Sequence, residues 1–150
     1  MRLDDAAAVL SYAEFFTICD DEQKRLLAFS SERRRFDPDD IIYKAGDPPL
    51  GAHVLIAGTL KVKPNDKASK SAAISEPGSV VSAISLILSK PRPITITAVI
   101  DCETLFVPRA AFLKLCQQSP DLAERAAARI QTELETYLGA LEPVRGKMRL

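Results

Sequence analysis

Few side chains in this sequence are of a type that could do acid–base, nucleophilic or metal chemistry, and their spacing decides against most of it. The one histidine, His53, sits inside the run HVLIA with no nucleophile or acid motif around it, so it reads as a packed strand residue and not as a catalytic base. Cys19, Cys102 and Cys116 are odd in number and widely spaced, with no C-x-x-C pair. Beside a single histidine they do not make a zinc site, and they fit reduced thiols in a cytoplasm. Each reads as a small buried hydrophobe. There is no glycine-rich phosphate loop and no G-x-S-x-G elbow, so an enzyme is not expected. What remains is cationic. Arg33, Arg34 and Arg35 would alternate faces on a strand and read as a solvated edge. Arg92 lies in a loop, and Arg145, Lys147 and Arg149 lie in the tail.

The elements that must position these residues follow from length and pattern. The chain has 150 residues, the size of one domain, and is long enough to bury a core without disulfides or metal. Hydrophobic residues at 47% and charged residues at 27% exclude a disordered or fibrous chain. Twenty basic and twenty acidic side chains cancel, which removes the global positive field of a dedicated nucleic-acid binder. No apolar run reaches the ~18 residues of a membrane helix, and MRLDDAAAVL lacks the features of a signal peptide.

Residues 1–30 read as helices. Asp4 would cap a turn through Leu10, and Asp20 or Asp21 a helix through Phe29 with Leu26, Leu27 and Phe29 as its apolar face. Tyr12, Phe15, Phe16 and Ile18 form an apolar knot between them. From 31 to 107 come short strands broken by turn residues, including IIY, HVLIA, TLKVK, AAIS, ITITAVI and TLFV. This pattern predicts an antiparallel β-roll or sandwich. One segment, SAISLIL at 82–88, lacks alternation and reads as a short helix within it. Residues 108–142 return to helix: Pro108 stands in the first turn of RAAFLKLCQQ, and Ser119-Pro120-Asp121 opens a longer helix. Along that helix Ala123, Ala127, Ile130, Leu134, Tyr137 and Leu141 recur at heptad spacing, the seam of a parallel homodimer, with Glu124, Arg125, Arg129, Glu133 and Glu135 solvated beside it. Residues 143–150 are a tail.

In this order the pieces resemble a cyclic-nucleotide-binding domain, the β-roll of catabolite-activator-type regulators. FDPDDIIYKAGDPP is similar to the family's first strand pair with its Gly-Asp turn at Gly46 and Asp47. HVLIAGTLKV is similar to the hairpin around Gly58, and EPGSVVSAISLILSKPRPITITA to the phosphate-binding cassette and following strand. The resemblance implies a mainly β fold with flanking helices, and a ligand site at Ser82, Ala83, Ile84, Ser85, Arg92 and Pro93. It also implies departures. Val81-Ser82-Ala83 falls on the family's Phe-Gly-Glu, and Arg92-Pro93-Ile94 on its arginine triplet. Arg92 is retained, but Ala83 cannot accept from a ribose hydroxyl, Ser82 replaces glycine, and Pro93 has no N–H for the phosphate. Asp39 stands where the family often has glycine, and aspartate tolerates the left-handed turn.

Losing the glutamate and one phosphate donor costs roughly 1.5–3 kcal/mol apiece, or on the order of 10²–10⁴ in affinity. The expected function is a dimeric, non-catalytic sensing module with weak or lost cyclic-nucleotide affinity, cytoplasmic, taking no resident cofactor or metal. It would act on an effector protein, its ligand a small anion or a cyclic nucleotide. The alternatives are a competent cyclic-nucleotide receptor acting on a partner protein, or the sensor part of a transcription regulator lacking its helix-turn-helix. Only nine residues, EPVRGKMRL, follow the long helix. Its cations could touch phosphates but not read bases, so direct sequence-specific DNA binding is not expected of this stretch.

Overall fold

A computed structural model describes residues 2–140, and of 133–140 the backbone only. Helix α1 (Leu3–Tyr12) starts one residue before Asp4, so Asp4 lies inside the first turn and Arg2 takes the N-cap position. There the carboxylate favours the positive end of the helix without capping it. A 3₁₀ helix (Glu14–Ile18) buries Phe15, Phe16 and Ile18, the two rings edge to face at 5.2 Å. Helix α2 (Asp21–Ser30) opens with a capping box: Gln23 N–H donates to Asp20 Oδ1 at 2.8 Å, and Asp20 N–H to Gln23 Oε1 at 2.9 Å.

Its apolar face differs from the expected one. Leu27 and Ala28 are buried, whereas Leu26 is half in solvent and Phe29 is 80% exposed. At 100° per residue, one stripe cannot hold Leu26, Leu27 and Phe29 together, and the stripe through Leu27 faces the core. Tyr12 departs from the aromatic knot in the same way: it is 49% exposed.

Eight strands follow, β1 (Glu32–Phe36), β2 (Ile41–Tyr43), β3 (Gly51–Ala57), β4 (Leu60–Pro64), β5 (Ala72–Ile74), β6 (Val80–Val81), β7 (Ile94–Ala98) and β8 (Cys102–Pro108). They form two antiparallel sheets, ordered β1-β8-β3-β6 and β2-β7-β4-β5, the predicted β-roll. Asp39 has φ 71°, left-handed as expected. Gly58 turns β3 into β4 at φ +102°, where a Cβ would lie 2.5 Å from the Asp101 carbonyl oxygen, so only glycine fits.

Strand alternation sorts the side chains into two cores. Ala52, Val54, Leu105 and Val107 join the helices in one cluster, while Leu55, Ile94, Ile96, Ala98 and Cys102 fill the space between the sheets. Cys19 and Cys102 are buried and Cys116 is half-buried, all as free thiols. Burial pushes the Cys19 thiol up to about 11, which suppresses the thiolate.

Helix α3 (Arg109–Gln118) takes Pro108 as its N-cap, one position earlier than the first-turn placement. Helix α4 (Pro120–Ala140) opens on Pro120 as expected. Among its described side chains Leu122 and Ala126 are buried, and Ile130 packs against the same helix-side core. Ile130 is thus partly used by the chain's own fold, one stripe round from a purely intermolecular seam. Ala127 is exposed and Ala123 half-buried. Arg125 is exposed as expected and Arg129 half-buried, and both also hold the 3₁₀ helix. Arg125 Nε donates to the Ile18 carbonyl, and Arg129 to the Glu14 carbonyl and Thr17 Oγ1, each at 3.0 Å. The side chains of Leu134 and Tyr137, together with Leu141 and the tail cations, lie outside the described residues. No helix among the described residues is long and apolar enough to cross a membrane.

Candidate functional site

The segment 82–88 forms a short 3₁₀ helix (Ala83–Leu86) directly after β6. Ser82 precedes it at φ 62°, ψ 46°, a left-handed conformation that costs a non-glycine residue about 1–2 kcal/mol. The helix is closed by Ser85 N–H to the Ser82 carbonyl at 2.9 Å and Leu88 N–H to the Ile84 carbonyl at 2.9 Å. Ser85 is 1% exposed.

Arg92 is fixed by its backbone. Its N–H donates to Tyr43 Oη at 2.9 Å, and its carbonyl accepts from Gly46 N–H at 3.0 Å. Tyr43 Oη in turn donates to the Asp47 carbonyl. The Gly46–Asp47 turn, with Gly46 at φ +91°, therefore holds the arginine in place at the start of β7. Burial lowers the Arg92 pKa from its usual value, with Tyr43 acting in the opposite sense. The group remains a cation, but a poorly solvated one.

These residues meet at a cavity of ≈ 230 Å³ between the cassette helix, the β2–β3 connection and the inner faces of both sheets. Ser82, Ser85 and Arg92 line it. Ser82 Oγ, Ser85 Oγ and Arg92 Nε are buried with no hydrogen-bond partner among the described residues. Ala83, Ile84 and Pro93 do not line it. Ala83 packs against the helix-side core instead, and the Pro93 carbonyl accepts from Asn65 N–H at 2.8 Å.

The cavity also takes in residues expected in the packed core or on a solvated edge. Arg34, His53 and Phe106 line it, because β1, β3 and β8 pair in the register Arg34↔Thr104 and His53↔Phe106. The middle arginine of the 33–35 run is thus inward, while Arg33 and Arg35 pair with Glu103 on the outside, Arg35 Nε at 3.3 Å. The signal for this was parity: Arg34 shares its strand face with Phe36, and His53 with Leu55.

His53 is packed, as predicted, at 7% exposure. Its Nδ1 lies 3.0 Å from Thr104 Oγ1, and its ring sits 5.1 Å from that of Phe106. Burial and then the Arg34 charge push its pKa down to about 4, so it is a neutral imidazole at physiological pH. No group of three or more His, Cys, Asp or Glu side chains among the described residues is arranged to hold a metal.

The architecture is an antiparallel roll with a short 3₁₀ helix and a half-buried arginine at one cavity, and comparison with known proteins gives it a family. Residues 33–119, more than half the chain, match the cyclic nucleotide-binding domain model. The chain belongs to that family. No curated protein matches it. Among solved structures it is similar to the sensor domain of the transcriptional regulator DNR from Pseudomonas aeruginosa, at 18% identity and TM-score 0.74 over 91% of this chain and 93% of that one. It is also similar to the Thermus thermophilus catabolite activator protein, at 21% identity and TM-score 0.71 over 87% of this chain and 62% of that one. A third similar structure is a Ruegeria pomeroyi protein, at 18% identity and TM-score 0.73 over 96% and 65%. The chain thus spans less than two thirds of the last two, and at these identities the likeness is one of fold.

Proposed function

We propose that this chain is a non-catalytic, ligand-sensing regulatory module whose cassette holds a small anionic ligand at Arg92 and has lost most of its affinity for cyclic nucleotides. One observation carries the reading. Three buried polar atoms, Ser82 Oγ, Ser85 Oγ and Arg92 Nε, lack partners among the described residues and belong to residues lining one cavity. Buried polar groups are almost always paired, and each left unpaired costs about 1–3 kcal/mol. All three can donate, so the oxygens of an anion would satisfy them together. Against a cyclic nucleotide stand the missing ribose acceptor at Ala83 and the missing N–H at Pro93.

The neighbouring DNR domain is the sensor of a transcriptional regulator, which supports a sensing role that reaches an effector protein through the C-terminal helices. That role is read here as cytoplasmic, with α4 pairing in a homodimer. Thermal unfolding of the pure protein tests the anion site. Phosphate or sulfate at many times its dissociation constant should raise Tm, and Arg92→Ala should abolish the rise while leaving the anion-free Tm within a few degrees. A wild type whose Tm responds to no anion, or a rise that survives Arg92→Ala, contradicts the reading.

A further inference from the structure

The cavity contains a second guanidinium that the cassette does not supply. Arg34 enters it from the inner face of β1, its guanidinium carbon 4.0 Å from the Phe106 ring centroid. Its ionic partner is Glu32, at 3.5 Å with the glutamate side chain 65% exposed. An exposed pair at that distance is weak and yields to a better-placed acceptor. The aromatic stack, by contrast, holds the planar group in one orientation. His53 beside it is neutral and occupied with Thr104.

The charged residues lining the cavity are Arg34, Lys44 and Arg92 against Asp47 alone, and Lys44 and Asp47 are exposed at its rim. Among the described residues the lining therefore offers two guanidinium groups, that of Arg34 36% exposed and paired with Glu32 outside the cavity, and two hydroxyls without partners, its one carboxylate being Asp47 at the rim. A phosphodiester carries one charge and can neutralise only one arginine. A dianion neutralises both.

Building on the anion-site reading, we propose that the ligand is a compact dianion, a phosphomonoester or a dicarboxylate, bridging Arg92 and Arg34. Specificity then lies in Arg34, which distinguishes two charges from one, while Arg92 and the serine hydroxyls supply affinity for any oxyanion.

Calorimetric titration at pH 8, where a phosphomonoester is fully dianionic, tests this with matched probes: methyl phosphate, dimethyl phosphate and succinate. Methyl phosphate or succinate should bind at least about tenfold tighter than dimethyl phosphate, the least that one more charge-assisted contact provides. Which dianion wins distinguishes the phosphoryl from the dicarboxylate source. Arg34→Gln should remove that preference and leave dimethyl phosphate binding within about twofold, and Arg34→Lys should keep most of it. Arg92→Gln should weaken all three. Circular dichroism of each variant checks folding, and the wild-type preference stands as a test independent of the variants. Equal binding of mono- and dianions, or a preference unchanged by Arg34→Gln, overturns this inference alone. Absence of binding by every probe overturns the anion site as well.

Discussion

At the scale of single residues, the site concentrates features that stability alone would remove. Ser82 occupies a left-handed conformation, and two serine hydroxyls and one guanidinium nitrogen are buried without partners among the described residues. His53 shows how strongly burial acts here. Its folded pKa of about 4 lies below the ordinary 6.5, so between these values the unfolded chain holds the proton and the folded chain does not. Stability from this group is complete above about pH 6.5 and falls as pH drops towards 4, with a loss of about 2 kcal/mol between pH 7.5 and pH 5. Urea unfolding at the two pH values, compared with His53→Asn, measures it. A variant with the same pH dependence as the wild type would show that His53 is not the group responsible.

The order of the cassette along the chain was enough to group Arg92, Ser82 and Ser85, which line one cavity. The sequence did not reveal Arg34, because three consecutive arginines look alike until strand parity selects the middle one. Nor did it reveal that Ala83 faces the helix-side core, since a four-residue 3₁₀ helix has no repeating pattern from which to read its rotation.

At the scale of elements, one side chain joins the cassette to the helices. Arg109, the first residue of α3, donates from Nη1 to the Pro49 carbonyl at 2.7 Å and to the Ser85 and Leu88 carbonyls at 3.3 Å. Its N–H donates to the Leu50 carbonyl at 2.8 Å. The end of the cassette helix, the β2–β3 connection and the start of α3 therefore share one cation, placed where ligand at Ser85 would be felt by the C-terminal helices. Arg109→Ala should lower stability by roughly 1–3 kcal/mol and speed amide hydrogen exchange at Ile87 and Leu88, whose N–H groups both bond the Ile84 carbonyl. Unchanged exchange there would mean that the cassette is held without this link. The strands themselves were legible from short β-branched runs between turn residues. The face of α2 was not, because Leu26 and Phe29 are apolar yet lie off the stripe that Leu27 and Ala28 bury.

At the scale of the whole molecule, two cores divide the labour: one closes the roll, and the other seats the helices on its outer face. Helix α4 contributes Leu122, Ala126 and part of Ile130 to the second, which leaves Ala127 exposed on the proposed dimer seam. A sedimentation run at ~100 μM should find a dimer, since micromolar association needs only about 8 kcal/mol. Ala127→Asp should give a monomer whose Tm is little changed. A monomeric wild type would show that the helix serves its own roll only.

The cassette remains the centre of the reading, and one titration addresses it directly. Calorimetry with cyclic AMP on the unmodified protein should give a dissociation constant in the millimolar range or weaker, because the cassette helix turns Ala83 towards the helix-side core and brings no carboxylate to a ribose hydroxyl, and Pro93 has no N–H to give a phosphate. A constant near micromolar would mean that the pocket binds cyclic nucleotide by other contacts and would contradict the loss proposed here.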